Sequence, residues 1–317
     1  MGVEFRLDFE IEVLSSDENS GVIRVALKPN PRRYEEKEID GKMYLLDKFD
    51  NLLFEKEMLL REMVKQLEGK PINLQKQDIG NIDDYIKERY PEIEKELGSL
   101  TPHQYKFVDK SEEFLSVQEL NTLEFAIVSI DIAGSTKLAN SVEHDKYLKI
   151  ITIFIDEISR IIPKFRGYVL KFTGDGLLAY FPAPSLIRMN DLSLDCSLCI
   201  REFVYNCLNP IFDKNNLPRI QIRIGIDSGE ASIVELGNIL SKSQKDIIGS
   251  VINIVTKIRS AGEPGNILLG HSSAKLLHTM YREGIEEFET GSEWPYKTSE
   301  KEKYKIFKIK DDAKFTL

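Results

Sequence analysis
An α+β protein with an antiparallel sheet and helices on one face, preceded by a smaller α+β N-terminal domain, is the architecture this sequence predicts. Short β-branched runs alternate with long amphipathic segments through residues 121–317. Two pairs of those runs are separated only by glycine-bearing turns, Thr173-Gly174-Asp175-Gly176 and Asp227-Ser228-Gly229. Residues 1–120 instead lead with strands and follow with helices. Alternation lays helices over a sheet, whereas segregated runs point to a separate unit.

In chain order, Val3 to Val13 and Val22 to Lys28 read as strands joined by a polar turn around Ser15 to Gly21. A second hairpin is expected at Asp40-Gly41, a favoured two-residue turn, with Lys42 to Leu46 following. Helices are expected at Glu55 to Leu67, stopped by Gly69 and Pro71, and at Asp83 to Leu97. In the latter, Ile82, Tyr85, Ile86, Tyr90 and Ile93 mark an apolar stripe and Gly98 a stop. Pro102, His103 and Lys106 to Glu113 read as a connector, and a domain boundary is placed at residue 120. Beyond it the expected strands are Phe125 to Ile130, Tyr168 to Phe172, Leu177 to Phe181, Ile220 to Ile226, Glu230 to Leu236, Ile267 to Gly270 and Tyr304 to Ile309. Lys146 to Phe165, Asp191 to Leu208 and Ser250 to Ser260 are the expected helices. The result is a layer in the ferredoxin-like style.

At 317 residues the chain has room for two domains, each with its own core. Hydrophobic content of 42% and charged content of 30% are ordinary for a soluble globular protein. No apolar run approaches the ~20 residues of a membrane span. Met1-Gly2-Val3-Glu4-Phe5-Arg6 lacks a signal-peptide layout, and Arg6 stands where myristoylation favours Ser or Thr. A cytoplasmic location with no membrane partner is expected. The net charge of −9 is spread along the chain, which argues against nonspecific nucleic-acid binding but not against a small anion held with a metal.

Cys196, Cys199 and Cys207 recur at helical spacing with Leu192 and Phe203, as small residues of a buried face do. Structural zinc needs four ligands, and no second cysteine pair exists. His103, His144, His271 and His278 form no ligand spacing. The phosphate-binding loop and dinucleotide fingerprints are absent.

Two aspartates carry the chemical signal. Asp131 ends the run Ile127-Val128-Ser129-Ile130 and is followed by Ile132-Ala133-Gly134-Ser135-Thr136, while Asp175 sits in the turn Gly174-Asp175-Gly176. The expected strand order brings both to one edge of the sheet. Paired carboxylates suit a hard cation such as Mg²⁺, which takes one or two of them plus substrate phosphates. Small residues after Asp131 leave backbone N–H groups for phosphate oxygens. The ordinary alternatives are a helix N-cap at Asp131 and a turn residue at Asp175.

Residues 124–270 resemble a class III nucleotide cyclase catalytic domain, the family of adenylate and guanylate cyclases. Four segments carry the match: Ser129 to Thr136, Gly167 to Asp175, Arg223-Ile224-Gly225-Ile226-Asp227-Ser228-Gly229, and Asp246-Ile247-Ile248-Gly249-Ser250-Val251-Ile252-Asn253. The resemblance implies that Asp131 and Asp175, with Ile132, bind two Mg²⁺ or Mn²⁺ ions. It implies that the backbone of Ile132, Ala133, Gly134, Ser135 and Thr136 cradles the phosphates and that Asn253 positions the ribose. Four residues on, the family usually has arginine and this chain has Lys257, which keeps the charge but loses the planar fork. Lys257 reads as a working replacement, with a slow enzyme or a surface lysine as the other readings. Arg259 lies about 120° off the Asn253 face and is a poor substitute.

Lys171 and Asp246 match the family's base-reading pair. A carboxylate accepts from an exocyclic amine and a lysine donates to a ring nitrogen, which favours ATP or CTP over GTP or UTP. The alternative is a structural salt bridge. The implied partners are an NTP substrate and a second copy, in a head-to-tail homodimer with active sites at the interface. Soluble bacterial cyclases that make cyclic CMP or cyclic UMP in antiphage signalling share the metal motifs, so a uridylate cyclase stays open. So does a catalytically silent nucleotide-binding homologue. The first 120 residues resemble no regulatory domain, and a sensor or dimer-orienting role is the working expectation for them.

Overall fold
The computed structural model describes residues 6–17, 22–67, 79–98, 107–118, 120–182, 186–237, 244–291 and 294–315. The expected stop signals Gly69 and Pro71, part of the 15–21 turn, and the Pro102-His103 part of the connector lie outside them. The chain divides into two compact units, Met1–Lys76 with Leu277–Glu283, and Gln77–Leu276 with Gly284–Leu317. That division falls well before residue 120.

In the first unit β1 (Phe9–Asp17) and β2 (Val22–Pro29) form an antiparallel pair. A three-stranded antiparallel sheet follows, β3 (Tyr34–Ile39), β4 (Lys42–Asp47) and β5 (Leu52–Glu55), and then α1 (Lys56–Leu67). Asp40 and Gly41 both take positive φ, 51° and 75°, as the two-residue turn between β3 and β4 requires. Tyr34, Leu45 and Leu59 make the small core. Arg33 is buried beside it, ion-paired to Asp47 at 2.7 Å and Asp50 at 3.3 Å.

The second unit opens with α2 (Ile82–Gly98) and α3 (Phe107–Ser116), then β6 (Thr122–Ile132), α4 (Ser135–Ser141) and α5 (His144–Ile161). The hairpin β7 (Tyr168–Phe172) and β8 (Gly176–Pro182) is followed by α6 (Leu186–Phe203) and α7 (Asn209–Lys214). Next come β9 (Ile222–Leu236), β10 (Gln244–Ile248), α8 (Ser250–Ala261), β11 (Ile267–Gly270) and α9 (His271–Leu276). After α10 (Thr279–Glu283), which counts with the first unit, β12 (Ile285–Phe288) and β13 (Ile306–Ile309) complete the sheet. Its order is β12-β13-β11-β9-β6-β8-β7, with β10 alongside the far end of β9. The β9–β11 pair is parallel and the other pairs are antiparallel.

Alternation along β6 sorts its side chains onto two faces. Phe125 and Ile127 join Leu178, Tyr180, Ala231 and Ile233 under Val251, Ile252 and Val255 of α8 and Leu115 of α3. Ala126, Val128 and Ile130 are buried on the opposite face, where α6 packs on β6, β8 and β9. The α+β class and the largely antiparallel sheet are as expected; helices cover it on both faces rather than one.

Residues 15–17 continue β1 instead of opening the expected turn, and three further segments differ from expectation. Asp227-Ser228-Gly229 is not a turn: β9 runs straight through it, with Asp227 opposite Ile127 and Gly229 opposite Phe125. Lys106 to Glu113 is not a connector: most of it lies in α3, whose Leu115 is core. The helix over residues 83–97 belongs to the second unit, where Arg89 of α2 donates twice to the buried Glu157 of α5, at 3.0 and 2.6 Å.

Candidate active site
Asp131 is the last residue but one of β6, paired in register with Gly176 on one side and Arg223 on the other. A Cβ at Gly176 would overlap the Ile130 carbonyl oxygen, so only glycine lets the β7–β8 turn lie this close. The turn places Asp175 at the end of β6, where the Ile132 N–H donates to the Asp175 carbonyl at 3.2 Å. The two aspartates thus meet at one end of the sheet. Asp131 is buried and Asp175 half-buried.

The Asp131 carboxylate carries two guanidinium groups. Arg223 Nη2 donates to Oδ2 at 2.8 Å and Nε to Oδ1 at 3.2 Å. Arg259 Nε lies 3.3 Å from Oδ2, and Arg259 Nη1 donates to Ser129 Oγ at 3.1 Å. Gly225, opposite Ser129 in register, makes the second contact possible. A Cβ there would lie 2.6 Å from the Val255 carbonyl oxygen and 2.7 Å from the Arg259 nitrogen, so α8 rests directly on the β9 backbone. Neither arginine was assigned a role from sequence. The signal existed for Arg259: it stands seven residues after Ile252, on the stripe that α8 buries.

Beyond Asp131 the chain turns through Gly134, whose φ of 71° is the left-handed conformation that glycine tolerates, into α4. Gly134 caps that helix, with no side-chain cap bond, so neither Asp131 nor Ser135 nor Thr136 is the N-cap. Of the expected phosphate cradle, Ile132 N–H is spent on Asp175 and Ala133 N–H on the Gln221 carbonyl at 2.8 Å. The N–H groups of Gly134, Ser135 and Thr136 precede the first intrahelical bond, Leu138 to Gly134. Of the five residues expected to form a cradle, those three keep N–H groups that precede the helix ladder.

Lys171 on β7 and Asp246 on β10 come together, Nζ to Oδ2 at 3.5 Å, and both remain partly open to solvent. Asp246 Oδ1 accepts the Ile247 N–H at 2.8 Å, which fixes the carboxylate. Asn253 and Lys257 lie one helical turn apart on the exposed side of α8, opposite the buried Val251, Val255 and Ile258. Within one chain that side is turned away from the sheet face over which Arg259 reaches Asp131. Asp227 is structural in this arrangement. Its buried carboxyl accepts from Tyr304 Oη at 2.7 Å and from the Ser228 and Ser273 N–H groups, at 2.9 and 3.4 Å.

Among the described residues no group of three or more His, Cys, Asp or Glu is arranged to hold an ion. Two carboxylates of hard oxygen still fit Mg²⁺ or Mn²⁺ when phosphates and water supply the other positions. Asp175 makes no ion pair among the described residues. Asp131 is a fitting ligand whose oxygens are already in contact with cations.

The profile of the family described as "Adenylate and Guanylate cyclase catalytic domain" matches residues 117–310. The chain is 24% identical over 204 residues to the Cytidylate cyclase of Staphylococcus aureus, covering 62% of this chain and 48% of that protein. It is 27% identical over 139 residues to the Uridylate cyclase of a Rhodovulum strain, covering 42% of this chain and 56% of that protein. The chain thus spans about half the length of these curated relatives. Among solved structures, the adenylyl cyclase CyaB from P. aeruginosa superposes with a TM-score of 0.53 at 20% identity, over 63% of this chain and all of that one. The guanylyl cyclase Cya2 gives 0.52 at 18%, over 61% and 94%. These likenesses establish the fold. No helix among the described residues is long and apolar enough to cross a membrane.

Proposed function
Since the chain belongs to the adenylate and guanylate cyclase catalytic-domain family, we propose that it is a metal-dependent cyclase converting an NTP to a 3′,5′-cyclic mononucleotide and pyrophosphate. The observation that supports this most is the meeting of Asp131 and Asp175 at one sheet end, through the Ile132–Asp175 backbone bond. In the reaction the ribose 3′-hydroxyl gives up its proton to water, its oxygen attacks the α-phosphorus, the bond to the bridging oxygen breaks, and pyrophosphate leaves with the electron pair. Two Mg²⁺ or Mn²⁺ ions at Asp131, Asp175 and the Ile132 backbone would supply a lowered pKa for the attacking hydroxyl and charge neutralisation at the phosphates. Gly134, Ser135 and Thr136 offer N–H groups to the phosphates. Asn253 holds the ribose, and Lys257 brings positive charge to the pentavalent transition state.

The base is ATP's or CTP's in this reading. Asp246 accepts from an exocyclic amine and Lys171 donates to the adjacent ring nitrogen, so a base with a carbonyl in that place meets a carboxylate instead. UTP requires another pose. Because Asn253 and Lys257 face away from their own chain's Asp131, the active site is composite, built across a head-to-tail homodimer with two equivalent sites. A silent, nucleotide-binding homologue is the second reading, favoured by Lys257 and by the two arginines on Asp131. Incubation with each NTP and Mn²⁺, with products identified by mass, separates the readings. The enzyme reading expects a cyclic product that Asp131→Ala abolishes; no product from any NTP leaves the silent homologue.

The N-terminal unit, in the same proposal, senses a signal or orients the protomers. Arg33→Ala strips Asp47 and Asp50 of their shared partner inside that unit. It should change the activity of the full chain, and an unchanged specific activity would remove the idea.

A further inference from the structure
We propose that Arg259 is a resident counter-cation at Asp131, an internal competitor that a divalent ion must displace to reach that carboxylate. This rests on the reading of Asp131 as a metal ligand and adds to it a control on when the metal loads. The two arginines hold Asp131 unequally. Arg223 is its register partner on the adjacent strand and makes two hydrogen bonds. Arg259 reaches the same carboxylate from α8 by one 3.3 Å contact, and its buried Nε makes no hydrogen bond. If that contact is broken, Arg259 keeps its bond to Ser129 Oγ at 3.1 Å. Arg259 is therefore the cation that gives way.

Charge sets the consequence. Two guanidinium groups on Asp131 cancel its charge and that of neighbouring Asp175, so the site is neutral rather than negative; the Asp131 side chain is only 7% exposed, and solvent screens little of the Arg259 field there. A divalent ion arriving alone meets repulsion from Arg259. An ion arriving with a nucleotide's polyphosphate does not, because the complex as a whole is negative and its phosphates offer the displaced guanidinium an acceptor. The site is thus poor at holding bare metal and loads ion and nucleotide together. Gly225 keeps this device in place: the α8 backbone lies against β9, so the guanidinium moves off the carboxylate by rotation of its own side chain, with Ser129 Oγ still within its reach.

The test is Mn²⁺ binding to the nucleotide-free full chain, read from the electron paramagnetic resonance signal of the free ion. Arg259→Gln should bind at least about tenfold tighter than wild type, Arg259→Lys no tighter than wild type, and Asp131→Asn more weakly. An Arg259→Gln affinity equal to or below wild type, with Asp131→Asn still weakened, overturns the counter-cation and spares the metal reading. An unchanged Asp131→Asn affinity overturns both. Wild type gives a reading that needs no variant: Mn²⁺, at a concentration that the same titration shows to fill the site, should raise phenylglyoxal modification of Arg259, measured by mass on its own peptide. An unaltered or lowered modification overturns the proposal.

Discussion

Lys171 and Asp246 meet at 3.5 Å although their strands, β7 and β10, are not paired with one another. In the proposed reading each is half of a recognition unit, and both side chains stay partly open to solvent. Exposed ion pairs of this kind contribute about 0–1 kcal/mol to stability.

Asp246→Asn should therefore leave the melting temperature nearly unchanged and alter selectivity. Asparagine both donates and accepts, so the penalty against a carbonyl-bearing base falls. The ratio of kcat/KM for ATP or CTP over GTP or UTP should drop about 10- to 100-fold, the value of one or two hydrogen bonds to the base. A ratio that does not move would return the pair to a structural role.

Lys257 is exposed on α8, so its replacement costs little folding energy. Lys257→Ala should lower kcat by about 10²–10³ with little change in KM, as loss of a charge that acts only in the transition state does. Lys257→Arg should raise kcat, because the planar fork donates to two phosphoryl oxygens at once. Equal kcat in wild type and Lys257→Ala would show a surface lysine.

Glu157 is fully buried and takes its two hydrogen bonds from Arg89, with Arg160 Nε 3.3 Å away. Arg89→Ala leaves a buried carboxylate with one remaining partner. The expected loss is about 3 kcal/mol, the low end for breaking a buried pair, because Arg160 stays. Urea denaturation followed by circular dichroism measures it, and a loss below about 1 kcal/mol would mean that α2 is held by its apolar stripe alone.

Two acids with raised values contribute a pH dependence of one sign. Burial pushes the Asp156 carboxyl up to about 7, Arg160 working against it and Glu157 and Glu96 with it. Burial also raises Asp227, to about 6, despite hydrogen bonds from Tyr304, Ser228 and Ser273. A raised carboxyl pKa means that the folded state holds its proton more tightly than the unfolded chain, so stability is lost as pH rises through the folded value. The melting temperature should fall between about pH 4 and pH 7, contributed by these groups, and fall less in Asp156→Asn. An identical slope in wild type and variant would exclude Asp156 as a source.

The four motif segments were legible because each pairs a β-branched run with residues of special chemistry, and the expected strand order brings Asp131 and Asp175 to one sheet edge. What was hidden depends on partners distant in sequence. Asp227-Ser228-Gly229 has turn composition, but Tyr304 and the Ser273 N–H satisfy the aspartate and β6 pairs along the whole segment, so the sheet overrides the local signal. Asp109, Lys110, Glu112 and Glu113 made α3 look like a connector, while its packing rests on Phe114 and Leu115. On the helical wheel Arg259 shows only its distance from the Asn253 face. Its actual neighbour is on a strand that no helical wheel displays.

The short stretch Leu277–Glu283 counts with the first unit although α9 before it and β12 after it belong to the second. There Arg282 is held by Asp50 at 2.9 Å, and the Thr279 N–H donates to Asp8 at 3.0 Å. The chain is therefore not two beads on a string with one cut point. A protein trimmed at residue 77 would keep a passenger whose acidic hosts had gone, and a graft of the N-terminal unit onto a relative would have to carry that passenger with it. The first unit is therefore written in two places of the sequence, and exchanging it means changing both at once.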